Sequence, residues 1–524
     1  MSYNESQWIK MEDIFSWWYT DNVSGFQLAQ NLSPYLRNAR LDWKSIKIRP
    51  WHSLLATLTT GSFPKGISSY LRTLPANDRL IVRHNKSGTE KIALITAAGV
   101  VTDITTAALI ASDNRMFFQN IGDDIYCMNG SDDFGKLAWT TYTTPSTGIT
   151  NYAPAFSADF SSSHWAAWFT TEPNKVRKSV GNNYEDFNSA GSDSFDFEEQ
   201  VTSLSSNDKT LLVFTQNSIS TIDLGDFNST GGVITYKTGK LQTREGTNTN
   251  ATTVTVWVNT FFFTSNKKIS RVVRWNNLLW FEVLELSERK YRGISNIMSS
   301  LDDNQDDAFW YYIPKDNLIK WFFKTAGSSI NNICIVYDIV KDAFLIDEQK
   351  FFVDWVNFKG KNYTISNVEP KVYEDEINQD DEDSWIPFEY NTKEFTLWEP
   401  TRKKILWETR VFIKINTLAV LTQEILIDWA VVDTKVIDSN NINLITWWFG
   451  TTAVWTIAIW TWWITWNDDD LQEVIILRTK WNLNIIWKKI QFRYTCSTLA
   501  AKSQLESLQM RLEIKPELSN NLTI

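Results

Sequence analysis

The chain has 524 residues, long enough for two or more domains, with 51 Lys and Arg against 61 Asp and Glu and a formal net charge of −10. That balance excludes nucleic-acid binding by the surface as a whole, which requires a basic face. Three cysteines, Cys127, Cys334 and Cys496, are far apart and odd in number, so they build neither a disulfide framework nor a zinc site and are expected to pack within strands.

In chain order, residues 1–51 read as an N-terminal arm and a first hairpin. The opening MSYNESQWIKMEDIFS has no basic start followed by an apolar core, so no secretory signal is expected. Pro34 marks a turn, and residues 38–43 lead into 46–51 across Asp42-Trp43. From 52 to 398 short runs of Ile, Val, Phe, Tyr and Thr alternate with Asn, Asp, Gly and Ser clusters. Residues 79–83 and 91–95 flank the turn 85–88. The same device pairs 116–118 with 124–127, 211–214 with 218–222, 261–263 with 268–272, and 333–337 with 343–346. Roughly seven such units of about 50 residues match the spacing of four-stranded propeller blades. The predicted fold class is therefore all-β: an irregular, about seven-bladed β-propeller over 52–398, with a pair of sandwiches or a β-helix as the alternative. Residues 399–516 carry longer runs with period-2 alternation and read as a C-terminal β-sandwich, followed by a tail at 517–524. The acidic stretch 374–383 marks the junction.

Tryptophan usage is abnormal. The chain holds 27 Trp and 20 Gly, whereas ordinary usage is about 7% Gly, and the two counts together come to about 9%. Seven of the tryptophans fall in TWWFGTTAVWTIAIWTWWITWNDDD, residues 446–470, which becomes an ordinary series of short strands and turns if each is read as glycine. Asp42-Trp43, Asp354-Trp355 and Asp428-Trp429 stand where Asp-Gly would form a hairpin turn, and Arg49-Pro50-Trp51 and Ser384-Trp385-Ile386-Pro387 are further turn contexts. Such turns need φ > 0, which glycine adopts freely and a bulky L-residue reaches only at a cost of about 1–2 kcal/mol. Many of the tryptophans are thus expected to occupy glycine positions, as happens when UGA codons of a genome that reads them as glycine are translated as Trp. This recoding is an alternative genetic code of one bacterial lineage and its phages. Trp321, in an apolar strand, fits as a true tryptophan, and Trp168 and Trp310 fit either residue. The competing reading is a protein rich in real tryptophan: a glycan-binding or glycan-cleaving propeller with stacking rings such as Trp462 and Trp463, or a membrane-active chain using 445–466.

Chemical constellations are sparse. His52, His84 and His164 lie in unrelated segments without a nucleophile beside them. Acidic clusters at 302–307, 380–383 and 467–470 lack calcium-loop spacing, no phosphate-binding loop is present, and no two carboxylates are fixed at a glycosidase separation. Lys175, Arg177 and Lys178 form a small basic patch that would face DNA if the ring lined a conduit. The expectation is a non-enzyme with no catalytic, cofactor-binding or metal-binding residue and no cofactor.

Several segments resemble the β-propeller structural proteins of tailed-phage virions, found in tail hubs, tail nozzles and head-completion plugs. LRNARLDWKSIKIRPW (36–51) is similar to their N-x-R-x-D-G…x-R-P-G opening once Trp43 and Trp51 are glycines. EPNKVRKSVGNNYEDF (172–187), TLLVFTQNSISTI (210–222), KNYTISNVEPKVYEDE (361–376) and DEDSWIPFEYNTKEFTLWEP (381–400) follow in the same order. The resemblance implies a virion structural protein of the tail or head-tail connector. It would be made and assembled in the host cytoplasm, as a homo-oligomer or ring beside other virion proteins. It implies no membrane contact and leaves a contact with DNA open.

Overall fold

The computed structural model of the chain describes residues 7–11, 35–41, 46–50, 52–58, 63–71, 77–104, 110–138, 140–144, 153–207, 210–228, 233–274, 281–287, 292–348, 350–366, 368–375, 388–391, 404–415, 421–427, 430–437, 475–485, 490–496 and 503–514. It is all-β and divides into two compact units.

The larger unit, residues 52–339 and 348–376, is a seven-bladed β-propeller. Each blade is an antiparallel sheet whose first strand is innermost. Blades 1 to 5 are four-stranded and consecutive in sequence: 67–104, 117–143, 154–196, 201–240 and 254–285. Blade 6 contributes Phe309–Ile313, Leu318–Phe323 and Ile333–Asp338 to this unit. Blade 7 takes Phe352–Phe358, Lys361–Ser366 and Lys371–Asp375 from the end of the unit and its outermost strand, Ser53–Thr57, from the beginning. The register Val372↔Ala56 ties the two ends of the unit together. The seven innermost strands touch one another in succession, and blade 7 meets blade 1, so the ring is closed. Closure removes the long unpaired edge that an open sheet of this size would present.

Apolar residues at period 2 supply both faces of each blade, and the core lies between blades. Blades 7 and 1 share Ala56, Ile67, Val82, Val353, Phe358 and Val372, among others. Blades 1 and 2 meet at Tyr70, Ile92, Met116 and Leu137, and blades 3 and 4 at Phe156, Trp165, Leu211 and Val213. Each such side chain contributes about 1.5–3 kcal/mol when fully buried. Blades 5 and 6 are pinned by Trp321, which has no exposure and donates its Nε1–H to the Thr252 carbonyl at 3.0 Å. Blades 6 and 7 are joined by a buried ionic knot, in which Asp375 takes Lys320 at 3.2 Å and Lys350 at 2.5 Å, with all three fully buried. At Gly99 (φ +81°) an added Cβ would lie 2.3 Å from the Leu55 carbonyl, so the closing strand passes where only glycine leaves room.

The smaller unit, residues 1–51, 340–347 and 377–524, contains two sheets. One runs Ala39–Leu41, Ile46–Ile48, Ser503–Ile514, Lys404–Ile415, Ile475–Ile485, with Gln7–Met11 also on Ser503–Ile514. The other places Tyr35–Arg37 beside Ala343–Glu348 in parallel register and continues through Phe388–Asn391, Ile490–Cys496, Leu421–Ile427 and Ala430–Ile437. The two-sheet C-terminal architecture is thus built jointly with the N-terminus.

The structure draws the domain boundaries differently from the sequence reading. The propeller's last strand ends at Asp375 and not near 398. The described residues of 1–51 supply four strands of the second unit. The physical reason is that strand partners come from distant parts of the chain, and short-range patterning does not register them. The acidic junction beyond 375, the sugar-platform pair Trp462 and Trp463, and the stretch 446–470 lie outside the described residues, as does the tail 517–524. Among the described residues, no helix is long and apolar enough to cross a membrane.

Candidate functional site

The propeller axis carries a cavity of about 480 Å³, walled by residues from all seven blades. Its position follows from the fold, because the first strand of every blade turns its edge to the axis and places small polar residues there.

Arg115, just before the first strand of blade 2, reaches Asp354 of blade 7 through Nη2 at 2.8 Å and the Ala308 carbonyl ahead of blade 6 through Nη1 at 3.0 Å. Asp354 also accepts the Ile67 backbone N–H at 3.1 Å and the Trp355 N–H at 3.0 Å. One ion pair therefore ties blades 1, 2, 6 and 7 across the axis. Trp310 and Trp355 add a tilted ring pair with centroids 5.6 Å apart on the same wall.

Elsewhere the wall is hydroxyl- and amide-rich. Ser205 shares a 2.6 Å hydrogen bond with Thr255, and behind the wall the buried Ser203 Oγ donates to Asn250 Oδ1 at 2.9 Å, joining blades 4 and 5. Ser157 is 3% exposed, and its hydroxyl has no hydrogen-bond partner. Two positions along the same strand, Asp159 opens to the cavity, and the desolvation there raises its carboxyl above the usual range. No cation stands against Asp159 among the described residues. Once Arg115 and Asp354 cancel, the wall is left with a single negative charge, which repels a phosphate backbone.

The residues singled out from sequence are not gathered here. His84 and His164 lie in strands of blades 1 and 3 and are buried. His84 Nε2 meets Asp103 at 3.0 Å, and burial holds its pKa below the ordinary imidazole value despite that carboxylate. His164 packs among Tyr126, Phe134 and Phe187, and burial pushes it down to about 4. His52 sits edge-on to Phe352 and Tyr373.

Lys175, Arg177 and Lys178 form no free basic patch. Glu172 pairs with both Lys175 and Arg177, and the hydrogen bonds from these two cations hold its carboxyl below the usual range. Lys178 is buried with its Nζ on the Gly191 carbonyl at 2.8 Å. Their strand is the third of blade 3, away from the axis. Of the acidic clusters, 302–307 is a loop folded on its own side chains, with Asp303 paired to Lys267 at 2.6 Å. No group of metal-ligating residues occurs among the described residues. Cys127, Cys334 and Cys496 are buried and none is in a disulfide.

Arg115, Asp354, Ser157 and Asp159 were missed in the sequence because nothing local distinguishes them. Only the ring brings residues 115, 157 and 354 to one axis.

No family model and no curated protein matches the chain. Among solved structures it is similar to a propeller described as "YCF48 bound to D1 peptide", at 11% identity and a TM-score of 0.40, covering 63% of this chain and 98% of that one. It is also similar to YCF48 from Cyanidioschyzon merolae, at 8% identity and a TM-score of 0.36, covering 62% and 98%. The likeness is one of fold and carries nothing about activity or partners.

Proposed function

We propose that the chain is a structural component of a phage virion, in the tail or the head-tail connection, acting by assembly with other virion proteins. The observation that carries this reading is the role of the segment most similar to such proteins, residues 36–51. Asn38 is fully buried in the left-handed region (φ 52°) and marks the corner where the chain leaves one sheet of the smaller unit for the other. Its N–H donates to the Ile346 carbonyl at 2.8 Å, and its carbonyl and side chain accept from Arg49 at 3.0 and 3.2 Å. Arg40 forks onto the buried Asp347 at 2.8 and 2.7 Å. The Asn, Arg and Arg of the motif are therefore a framework corner, which supports kinship in architecture and a role in building. A closed ring with no gathered nucleophile, acid–base pair or metal cluster among the described residues suits assembly better than turnover. The negatively charged axial wall argues against a path for DNA, so DNA contact is left out of the proposal.

The test is direct. Peptides of this chain are expected in digests of purified particles of the phage that encodes it, and antibodies to the chain should label those particles in electron micrographs. Particles free of the chain would overturn the reading. The glycan-binding alternative needs exposed rings, and among the described residues the strongly exposed tryptophan is Trp257, alone on a hairpin tip, while Trp310 and Trp355 are half-buried.

A further inference from the structure

We propose that the buried Lys350–Asp375 ion pair of the propeller matures into a covalent isopeptide bond. Lys350 Nζ is the nucleophile, the Asp375 carboxyl is the acceptor, and Lys320 is the donor that polarises it. The proposal does not rest on the virion reading.

Three observations converge on this pair. The first is placement. Lys350 Nζ lies 2.5 Å from Asp375 Oδ1 and Lys320 Nζ 3.2 Å from Oδ2, so an amine meets each oxygen of the carboxyl. The second is burial. All three side chains have no exposure, an uncommon state for Lys and Asp. The third is the surroundings. Lys320 Nζ also donates to Tyr311 Oη at 2.8 Å, Lys350 Nζ stands 5.9 Å from the Phe352 ring, and the buried Phe322 and Tyr373 rings pack against Phe352. An ion pair among such rings has lost its solvation by water. Its proton moves across the short contact to Oδ1, leaving a neutral amine beside a neutral acid.

That form is the reactive one. Lys350 Nζ attacks Cγ, which is bonded to the oxygen it already touches. The carbonyl electrons move onto Oδ2, where the Lys320 ammonium meets the developing charge. A proton then passes from Nζ to Oδ1, the Cγ–Oδ1 bond breaks, and water leaves as the carbonyl re-forms. One amine and one carboxylic acid thus become one secondary amide and one water, with no other reagent. Groups held in position react as if at effective concentrations on the order of 10⁵ M or more, and a dry interior withholds the water that would reverse the step. The bond encloses Phe352–Phe358, Lys361–Ser366 and Lys371–Asp375, and so braces the strand on which Ser53–Thr57 closes the ring.

Mass spectrometry tests this directly. The intact mass of the purified full chain is expected to fall short of its sequence mass by one water. Trypsin does not cut after an acylated lysine, so a digest should contain residues 342–359 joined to residues 372–393. Lys350→Arg keeps the cation but cannot form the amide, and its mass should equal that of its sequence. A wild-type chain at full sequence mass overturns the proposal by itself, whether or not the variant folds. A water loss that persists in Lys350→Arg overturns it too, as does a linked peptide carrying Lys320 in place of Lys350.

Discussion

At the scale of single residues, backbone dihedrals separate the tryptophans. Trp257 has φ 55° at the first of two residues linking Val254–Val256 to Asn259–Phe263, a position that a type II′ hairpin reserves for glycine, and it is 64% exposed. Trp168, ambiguous in sequence, also has positive φ, at 56°. Trp321 is buried and hydrogen-bonded, as a true tryptophan would be. Trp257→Gly should therefore raise stability by about 1–2 kcal/mol, while Trp321→Gly should cost about 3 kcal/mol or more. Urea midpoints of the two variants check both signs, and stabilisation by Trp321→Gly would refute the division. One expectation is corrected here. Asp354-Trp355 is not a hairpin turn; both residues sit inside Phe352–Phe358, next to a register shift, and Asp354 is spent on Arg115. His164 makes a second prediction. Its folded pKa is about 4 against an ordinary 6.5, so between those values the unfolded state holds a proton that the folded state does not. Stability must then fall as pH drops through that window, by an amount on the order of 3 kcal/mol at most. Denaturation midpoints from pH 7 to 4 should show the loss, with a shallower slope in His164→Phe and a residual slope from His84, whose pKa is also lowered.

Hairpins and cross-blade ties make up the next scale. The hairpins around 85–88, 210–222 and 259–274 were legible because local alternation and turn residues specify them without reference to the rest of the chain. Asp428-Trp429 falls between Leu421–Ile427 and Ala430–Ile437, whose last pair is Ile427↔Ala430, the two-residue gap where Asp-Gly is favoured. The Asp42-Trp43 hairpin is likewise present as Ala39–Leu41 paired with Ile46–Ile48, with the loop itself outside the described residues. Ties between elements were not legible. The knot of Lys320, Lys350 and Asp375 spans more than 50 residues of sequence and is wholly buried, so removing the acid leaves cations in an apolar interior. Asp375→Ala is expected to cost about 3–5 kcal/mol, read as a lowered urea midpoint. A shift below about 0.5 kcal/mol, the size of an ordinary surface change, would show that the knot does not hold blades 6 and 7.

The decisive event for the whole molecule is ring closure by Ser53–Thr57 on Lys371–Asp375. Within that closing strand Ala56 is 5% exposed and Leu54 43% exposed. Ala56→Asp should place an unpaired charge in the blade 7–blade 1 core and lower the melting temperature sharply, whereas Leu54→Asp should leave it nearly unchanged. Equal melting of the two variants would mean that the strand does not close the ring. The same closure creates the candidate site, because the axis exists only when all seven first strands converge on it. The histidines and charge clusters that stand out along the sequence are placed between blades or paired off by the fold.

What the sequence determined by itself is the all-β class, the repeat near 50 residues and the main hairpins. These depend on φ preferences and period-2 alternation, which act over a few residues. The tertiary structure alone decided that residues 53–57 complete the last blade, that residues 1–51 belong with the C-terminal strands, and that Arg115, Ser157, Asp159 and Asp354 share one cavity. Those pairings join residues tens to hundreds of positions apart, and they are selected by burial and ring geometry that no local window of sequence contains.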